Sequence, residues 1–561
     1  MARRVAVIGG GSSGLTCIKC CLDEGLEPVC FESSDDIGGL WRFKENPETD
    51  RASIYHSVII NTSKEMMCFS DFPIPAHFPN YMHHTYIMDY FRMYADHFQL
   101  NRYIRLQTKV LNVSPRPDFA QSGQWDIETE DRDGKREKHV FDAVLVCTGH
   151  HCHPQLPVKD FPGIETFKGK YFHSRDYKTQ DEWRNKRVVV IGIGNSGGDI
   201  AVELSRVTKQ VFLSTRKGSW ILNRVGTNGI PGDMIFNRIF RMAQCILPFG
   251  FLCNVAEKRL NERFNHAMYG LKPEHRLFSQ HPMINDELPN RLISGTIKVK
   301  PNVREFRGSS VIFEDGTVED DIDLVVFATG YTFSFPFLQS DVISVTENKT
   351  RLYKYMFPPG LERPTLAIIG LIQPLGAIMP ISEMQARWAT RVFKGLSKLP
   401  SMSSMLKDIK AKEDRMAKRY VTSQRHTIQV DYIPYMDELA MQVGVRPKLL
   451  WLFLTDPGLG LRVLFGPCTP YQFRLCGPGQ WDGARQAIFT QWERVSQPFK
   501  TRSVPVQKSS QSHLPLLLSV SAAALLSTAY FTRANLSSFL PDITSFLERL
   551  KSHLPLPVVR Q

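Results

Sequence analysis

The chain carries, twice, a pattern that a strand-turn-helix unit satisfies and few other local structures do. The apolar run Val5-Ala6-Val7-Ile8 suits a parallel strand buried on both faces, and Gly9-Gly10-Gly11-Ser12-Ser13-Gly14 follows it into a helical period. Arg187-Val188-Val189-Val190-Ile191 is followed at the same spacing by Gly192-Ile193-Gly194-Asn195-Ser196-Gly197, which runs on through Gly198 and Asp199 into an apolar helix. In each copy the first glycine permits the tight turn and the second lets a pyrophosphate approach the backbone. The third lets helix and strand pack closely, so the helix amino terminus faces the phosphates. Two such units predict an α/β protein with two Rossmann-like dinucleotide-binding domains.

The strand after each helix separates the two ligands. The one after the first, Pro28-Val29-Cys30-Phe31, ends in Glu32, eighteen residues beyond Gly14, where a carboxylate accepts from both ribose hydroxyls. Its charge also repels a 2'-phosphate, so FAD or NAD is expected there rather than NADP. Gly38-Gly39-Leu40-Trp41 then offers two close-approach glycines and an indole able to cover an aromatic ring, a continuation that resembles flavoproteins rather than NAD dehydrogenases. After the second helix, Gln210-Val211-Phe212-Leu213 ends in Ser214-Thr215-Arg216, and hydroxyls with a guanidinium suit the 2'-phosphate of NADPH. Two further strands, over 142–149 and 323–330, both end in Thr-Gly and are expected to mark the crossings where one nucleotide domain interrupts the other.

Composition bounds the remainder. At 561 residues, 42% hydrophobic and 22% charged, the chain has room for several domains and is no disordered tail, collagen-like fibre or small disulfide scaffold. The excess of 69 Lys and Arg over 56 Asp and Glu fits an anionic cofactor or lipid. Nucleic acid is not expected, because the basic residues are scattered and no nucleic-acid-binding motif is present. Eleven cysteines without paired spacing point to a reducing environment and give no metal site. Cys17, Cys20 and Cys21 read as buried thiols on a helix packed against a sheet, with a redox pair as the alternative. A cleaved leader is not expected, since cleavage would destroy the first glycine motif.

Between the glycine motifs, Phe167-Lys168-Gly169-Lys170-Tyr171-Phe172-His173-Ser174-Arg175-Asp176-Tyr177 has the FxGxxxHxxxY form of the class B flavin monooxygenases. Asn61-Thr62-Ser63-Lys64-Glu65-Met66-Met67, Phe327-Ala328-Thr329-Gly330-Tyr331 and Glu383-Met384-Gln385-Ala386-Arg387-Trp388 resemble the vertebrate flavin-containing monooxygenases. Met66-Met67-Cys68-Phe69-Ser70-Asp71 and the stretch over 420–429 are most similar to the fifth member of that family. Ser12, where the family often has Val, and Cys147, where Ala is commoner, depart from the pattern without removing an expected ligand contact.

The resemblance implies FAD in the first site and NADPH in the second, with hydride passing to the flavin and a C4a-hydroperoxyflavin forming with dioxygen. It implies oxygenation of small lipophilic compounds, by Baeyer-Villiger insertion into ketones or at nitrogen and sulfur, with some release of hydrogen peroxide. It places Asn61, with Thr62 beside it, at the flavin and nicotinamide; read without the family, such an Asn is a structural cap. His173 and Tyr177, in a segment that reads as an extended linker between domains, are assigned to positioning. A flavin disulfide reductase would instead need a cysteine pair against the flavin, and a cofactor-binding membrane scaffold would need no turnover.

The expected division is an FAD domain over 1–155 and 331–445, interrupted by an NADPH domain over 156–216 and 291–330. A helical insertion occupies 217–290, a helical region and linker 446–512, and a hydrophobic tail 513–561. The eighteen residues 514–531 carry no charge, which suits an endoplasmic reticulum tail anchor or, alternatively, a buried or surface-lying helix. Residues 230–255 are apolar enough for a surface helix dipping into lipid, or for an insertion packed on the NADPH domain. Residues 536–561 suggest no function.

Overall fold

A computed structural model of the chain describes residues 3–49, 51–421 and 427–502. The charge-free stretch 514–531, residues 536–561 and part of the 420–429 motif lie outside the described residues. In chain order the strands that build the two main sheets are β1 (Arg4–Ile8), β2 (Glu27–Phe31), β3 (Ile104–Arg105), β4 (Ala143–Val146), β5 (Lys170–His173), β6 (Arg187–Ile191), β7 (Gln210–Ser214), β8 (Ile297–Lys300), β9 (Leu324–Phe327) and β10 (Leu366–Ile368). The helices that matter here are α1 (Ser12–Asp23), α2 (Asn195–Leu204), α3 (Arg238–Ile246), α4 (Phe249–Arg263) and α5 (Met379–Lys394).

The first sheet has the order β10-β4-β1-β2-β3 and the second β8-β7-β6-β9-β5, with every neighbouring pair parallel. All five strands of the second sheet lie in sequence between β4 and β10 of the first. The two strands that approach a Thr-Gly ending are the elements on either side of that interruption. β4 is the last strand of the first sheet before the second begins, and β9 is the last of the second before the first resumes.

The near-continuous apolar runs follow from burial on both sheet faces. In β1, Val5 and Val7 enter one hydrophobic cluster while Ala6 and Ile8 enter another. In β6, Val188 and Val190 pack on one side and Val189 and Ile191 on the other. Each buried Val or Ile here contributes about 1.5–3 kcal/mol, so a single charge in either strand would be severely destabilising.

Around the first sheet, α5 packs along α1, and a buried ionic cluster ties both to the carboxy-terminal segment. Arg474 Nη2 lies 2.6 Å from Glu383 Oε1 and 2.9 Å from Asp71 Oδ2, and Lys19 Nζ lies 2.5 Å from Asp71 Oδ2. Burial, reinforced by the neighbouring Arg474, pushes the Arg387 guanidinium down to about 10.

Two sequence expectations change in detail. The His173 segment is not an extended linker: Lys170–His173 forms the edge strand of the second sheet, pairing with Leu324–Phe327. The apolar stretch 230–255 is not one helix either, since α3 and α4 break at Leu247-Pro248, where a proline ends the hydrogen-bond ladder. The insertion packs on two sides: Ile221, Phe264, Leu271, Met283 and Leu288 join the hydrophobic cluster of the second sheet, while Arg238 Nη1 meets Asp437 Oδ2 at 2.8 Å and Arg238 Nε donates to Gln472 Oε1 at 2.9 Å. Ile235, Phe249, Phe251 and Val255 face outward. Among the described residues no helix is long and apolar enough to cross a membrane.

Candidate functional site

Two glycine cradles are built on one plan. Gly9 has a φ of +105°, and a Cβ there would lie 2.8 Å from the Cys147 carbonyl oxygen just past β4. Gly192 has a φ of +107°, and a Cβ there would lie 2.5 Å from the Ala328 carbonyl oxygen just past β9. In each unit the neighbouring strand's exit thus presses against the glycine turn, and the glycine of each Thr-Gly ending takes a positive φ, +75° at Gly149 and +90° at Gly330. The third glycines are closed to any side chain, because a Cβ on Gly14 or Gly197 would sit 1.9 Å from the carbonyl of Gly9 or Gly192. Both helices start on a glycine with no side-chain cap, Gly11 for α1 and Gly194 for α2, so their first N–H groups have no side chain bonded to them.

The first cradle is closed in by protein. A Cβ on Gly11 would lie 3.6 Å from the Gly39 Cα, so the two backbones face each other across a narrow gap. Glu32 is buried, with Oε2 accepting from the Gly10 N–H at 2.6 Å and Oε1 from the Ser34 N–H at 2.8 Å. Each oxygen keeps a second lone pair, so the carboxylate is fixed in place and still able to accept from a ribose. Ser12 and Ser13 open α1, and Ser13 Oγ lies 3.1 Å from Ser382 Oγ of α5. Leu40 and Trp41 lie in a short turn, half-buried, with Trp41 packed on the core. A side-chain-free turn, uncapped helix N–H groups and a fixed carboxylate fit a pyrophosphate-bridged dinucleotide without a 2'-phosphate.

The second cradle is more open, for a Cβ on Gly194 would meet nothing within 4 Å. Asn195 Oδ1 accepts from the Ile284 N–H at 2.9 Å, Ser196 is half-buried, and Gly198 lets α2 pack on Met283. Asp199 is occupied by protein partners, accepting from Tyr55 OH at 2.8 Å and from Asn285 Nδ2 at 2.7 Å, and burial raises its carboxyl. Ser214 donates its hydroxyl to the Pro301 carbonyl at 2.8 Å, and Thr215 Oγ1 accepts from the Gly218 N–H at 3.0 Å. Thr215 keeps its own O–H to donate, and the neighbouring Arg216 is exposed, so a hydroxyl and a guanidinium remain at this strand end, which fits a phosphorylated ribose.

The segment that carries Asn61 joins the two units. Tyr55 reaches Asp199 and Ser57 reaches Glu203, both on α2, while Tyr177 is buried against the Tyr55 ring at 6.1 Å. His173 bonds through Nε2 to the Gly330 carbonyl at 2.9 Å, a positioning contact at the end of β5. Asn61 does not cap a helix; Ser63 holds that place before Lys64–Met67. Instead Asn61 Oδ1 accepts from Arg224 Nη2 at 2.6 Å, and Thr62 beside it is half-buried. Asp233 Oδ2 accepts from the Ser63 N–H at 2.7 Å, and burial pushes its carboxyl up to about 6. Nothing local in the sequence singles out Arg224 or Asp233, whose partners in the 61–63 turn lie more than 160 residues away.

All eleven cysteines are free. Cys17, Cys20 and Cys21 are buried in α1, and Cys17 Sγ lies 3.5 Å from Cys147 Sγ. Burial pushes the Cys20 thiol up to about 12, which makes it a poor nucleophile. No group of three or more His, Cys, Asp or Glu among the described residues could hold a metal ion.

The family model described as flavin-binding monooxygenase-like matches residues 2–534. The chain is 61% identical over 533 residues to flavin-containing monooxygenase 5 of Rattus norvegicus, covering 94% of this chain and 99% of that protein. It is 60% identical over 533 residues to the protein of the same name from Homo sapiens, with the same coverage. Among solved structures, the S-allyl-L-cysteine S-oxygenase of Allium sativum matches with a TM-score of 0.61 at 23% identity, over 89% of this chain and 99% of that one. A cyclohexanone monooxygenase from Rhodococcus sp. Phi1 bound to NADP+ matches with a TM-score of 0.57 at 15% identity, over 79% and 98%. These two likenesses establish the shared fold.

Proposed function

The chain belongs to the flavin-binding monooxygenase-like family, and from that premise we propose that it oxygenates small lipophilic compounds, ketones by Baeyer-Villiger insertion as well as amines and sulfides. It is an FAD-containing, NADPH-dependent monooxygenase. The proposed division assigns FAD to the unit formed by 1–155 and 331–445, and NADPH to that formed by 156–216 and 291–330. When bound, the flavin accepts hydride from NADPH and carries the dioxygen chemistry.

The chain's own residues supply binding, orientation and exclusion of water. Gly9, Gly11 and Gly14 with the α1 amino terminus hold the FAD pyrophosphate, and Glu32 its ribose. Gly194, Gly197 and the α2 amino terminus hold the NADPH pyrophosphate, with Arg216 on the 2'-phosphate. Asn61 carries the reading: it lies on the segment bridging the units, its oxygen is taken by Arg224, and its amide NH2 has no protein acceptor among the described residues. That free amide supports the reading in which Asn61 donates where flavin and nicotinamide meet.

The test is turnover under labelled dioxygen with a ketone beside a thioether. The reading predicts one labelled oxygen atom in ester and in sulfoxide, with part of the NADPH consumption appearing as hydrogen peroxide. Hydrogen peroxide alone, without labelled product from either substrate, would refute it.

The proposed location is the endoplasmic reticulum membrane. It is supported by the outward Ile235, Phe249, Phe251 and Val255 and by the charge-free stretch 514–531. Flotation of the full chain with phospholipid vesicles supports this placement, and recovery only in the soluble fraction contradicts it.

A further inference from the structure

We infer that Arg224 is a positioning residue that fixes Asn61 as a one-way hydrogen-bond donor. The inference rests on the proposed placement of Asn61 at the flavin and nicotinamide, and adds which end of its carboxamide works there. Arg224 Nη2 donates to Asn61 Oδ1 at 2.6 Å. A guanidinium has five donors and no acceptor, so the NH2 end of Asn61 cannot face it. The two orientations of the amide, equivalent in shape, are therefore unequal in energy here. The oxygen is turned toward Arg224, and Nδ2 is the end with no protein acceptor among the described residues.

Arg224 is itself held. Its own N–H donates to Asp286 Oδ2 at 3.2 Å, the Val225 N–H donates to Asp286 Oδ1 at 3.3 Å, and its guanidinium Nη1 stands 3.7 Å from Asp286 Oδ2. Its carbonyl accepts from Tyr81 OH at 2.8 Å, and Nη2 also reaches the Ile59 carbonyl at 3.5 Å. Asp233 grips the same turn through its backbone, accepting the Ser63 N–H at 2.7 Å. Arg224, Asp233 and Asp286 all belong to the 217–290 insertion, which also meets the second glycine motif through Met283, Ile284 and Asn285. The insertion thus holds the 61–63 turn at two points, by side chain and by backbone.

The chemical consequence is direction. A fixed N–H donor favours electron-rich atoms and negative charge developing beside it, and it does so without reorganising when the charge appears. The cation on the amide oxygen further polarises the N–H bonds and strengthens their donation. An asparagine free to flip would present an acceptor part of the time and lose that selectivity.

The experiment is a double-mutant cycle on the full-length, FAD-loaded protein, with Arg224→Met, Arg224→Lys, Asn61→Ala and both combinations. Two quantities are read: the rate of oxygenated product formed against hydrogen peroxide released, and the NADP+ dissociation constant from the perturbed flavin spectrum. Arg224→Met is expected to lower product formation about tenfold or more, the scale of a lost charge-assisted hydrogen bond, with FAD content unchanged. In the Asn61→Ala background the same change should alter product formation less than about twofold, and any shift in NADP+ affinity should vanish with it. Arg224→Lys, which keeps a donor, should restore part of the loss, and its effect should also vanish without Asn61. Losses that multiply in either combination overturn the inference while leaving the role of Asn61 standing. Full product formation by Asn61→Ala would instead overturn the underlying placement of Asn61, and the inference with it.

Discussion

The two glycine cradles share a backbone plan and differ in what surrounds it. In the first, Gly11 faces Gly39 across a narrow gap and Glu32 is buried with both oxygens bonded to backbone N–H groups. In the second, Gly194 faces open space and the cation at the strand end, Arg216, is exposed. A closed, pre-bonded site suits a ligand that stays, and an open one with a surface cation suits a ligand that exchanges every turnover. The same turn can therefore serve as a prosthetic-group site or a cosubstrate site, and the flanking segments decide which.

The sharpest way to break this comparison is to place one methyl group in each cradle. Gly14→Ala puts a Cβ 1.9 Å from the Gly9 carbonyl, so we expect a loss of about 3 kcal/mol or more and protein purified without flavin absorbance. Gly194→Ala meets no neighbour within 4 Å, so its melting temperature should stay close to that of the parent while its NADPH KM rises. Glu32→Gln comes next, because one of the Gly10 and Ser34 N–H groups must then face an NH2. Equilibrium dialysis should show FAD affinity reduced roughly tenfold to hundredfold, matching about 1–3 kcal/mol for a buried donor left unsatisfied. Arg216→Ala is smaller, since the side chain is exposed: about tenfold in the NADPH KM, with FAD content unchanged in the absorbance spectrum. Equal loss of both cofactors would erase the distinction between the sites.

The smallest expected effect is on pH. Burial raises the Asp199 carboxyl above its ordinary 3.8, so the folded protein holds that proton to a higher pH than the unfolded chain. Its contribution to stability is therefore greatest below the ordinary value and is lost as pH rises through the raised one. Melting temperature followed through that window should fall less steeply in Asp199→Asn than in the parent.

The nucleotide units were legible because their determinants are local: an apolar run, three glycines and a strand-end residue fall within about thirty positions in each. Even the interruption of one unit by the other left a trace in the paired Thr-Gly strand endings. What could not be read depends on partners distant in sequence. Ser214 fits the pattern of a phosphate ligand, yet its hydroxyl donates to the Pro301 carbonyl, 87 residues away. Asp199 belongs to the second glycine motif but bonds to Tyr55 of the other unit, 144 residues away. The apolar period of 230–255 does not say that α3 docks on Asp437 and Gln472 through Arg238, because periodicity records which face is buried and not against what.

The mechanism requires FAD in the Glu32 cradle and NADPH in the Arg216 cradle, close enough for hydride to pass. Anaerobic titration of the purified full-length protein with NADPH and, separately, NADH, followed by flavin absorbance, tests this most directly. The expected result is one FAD per chain, bleached by NADPH at far lower concentration than by NADH, with the preference abolished in Arg216→Ala. Colourless protein that takes up no added FAD, or bleaching at equal concentrations of the two reductants, would contradict it.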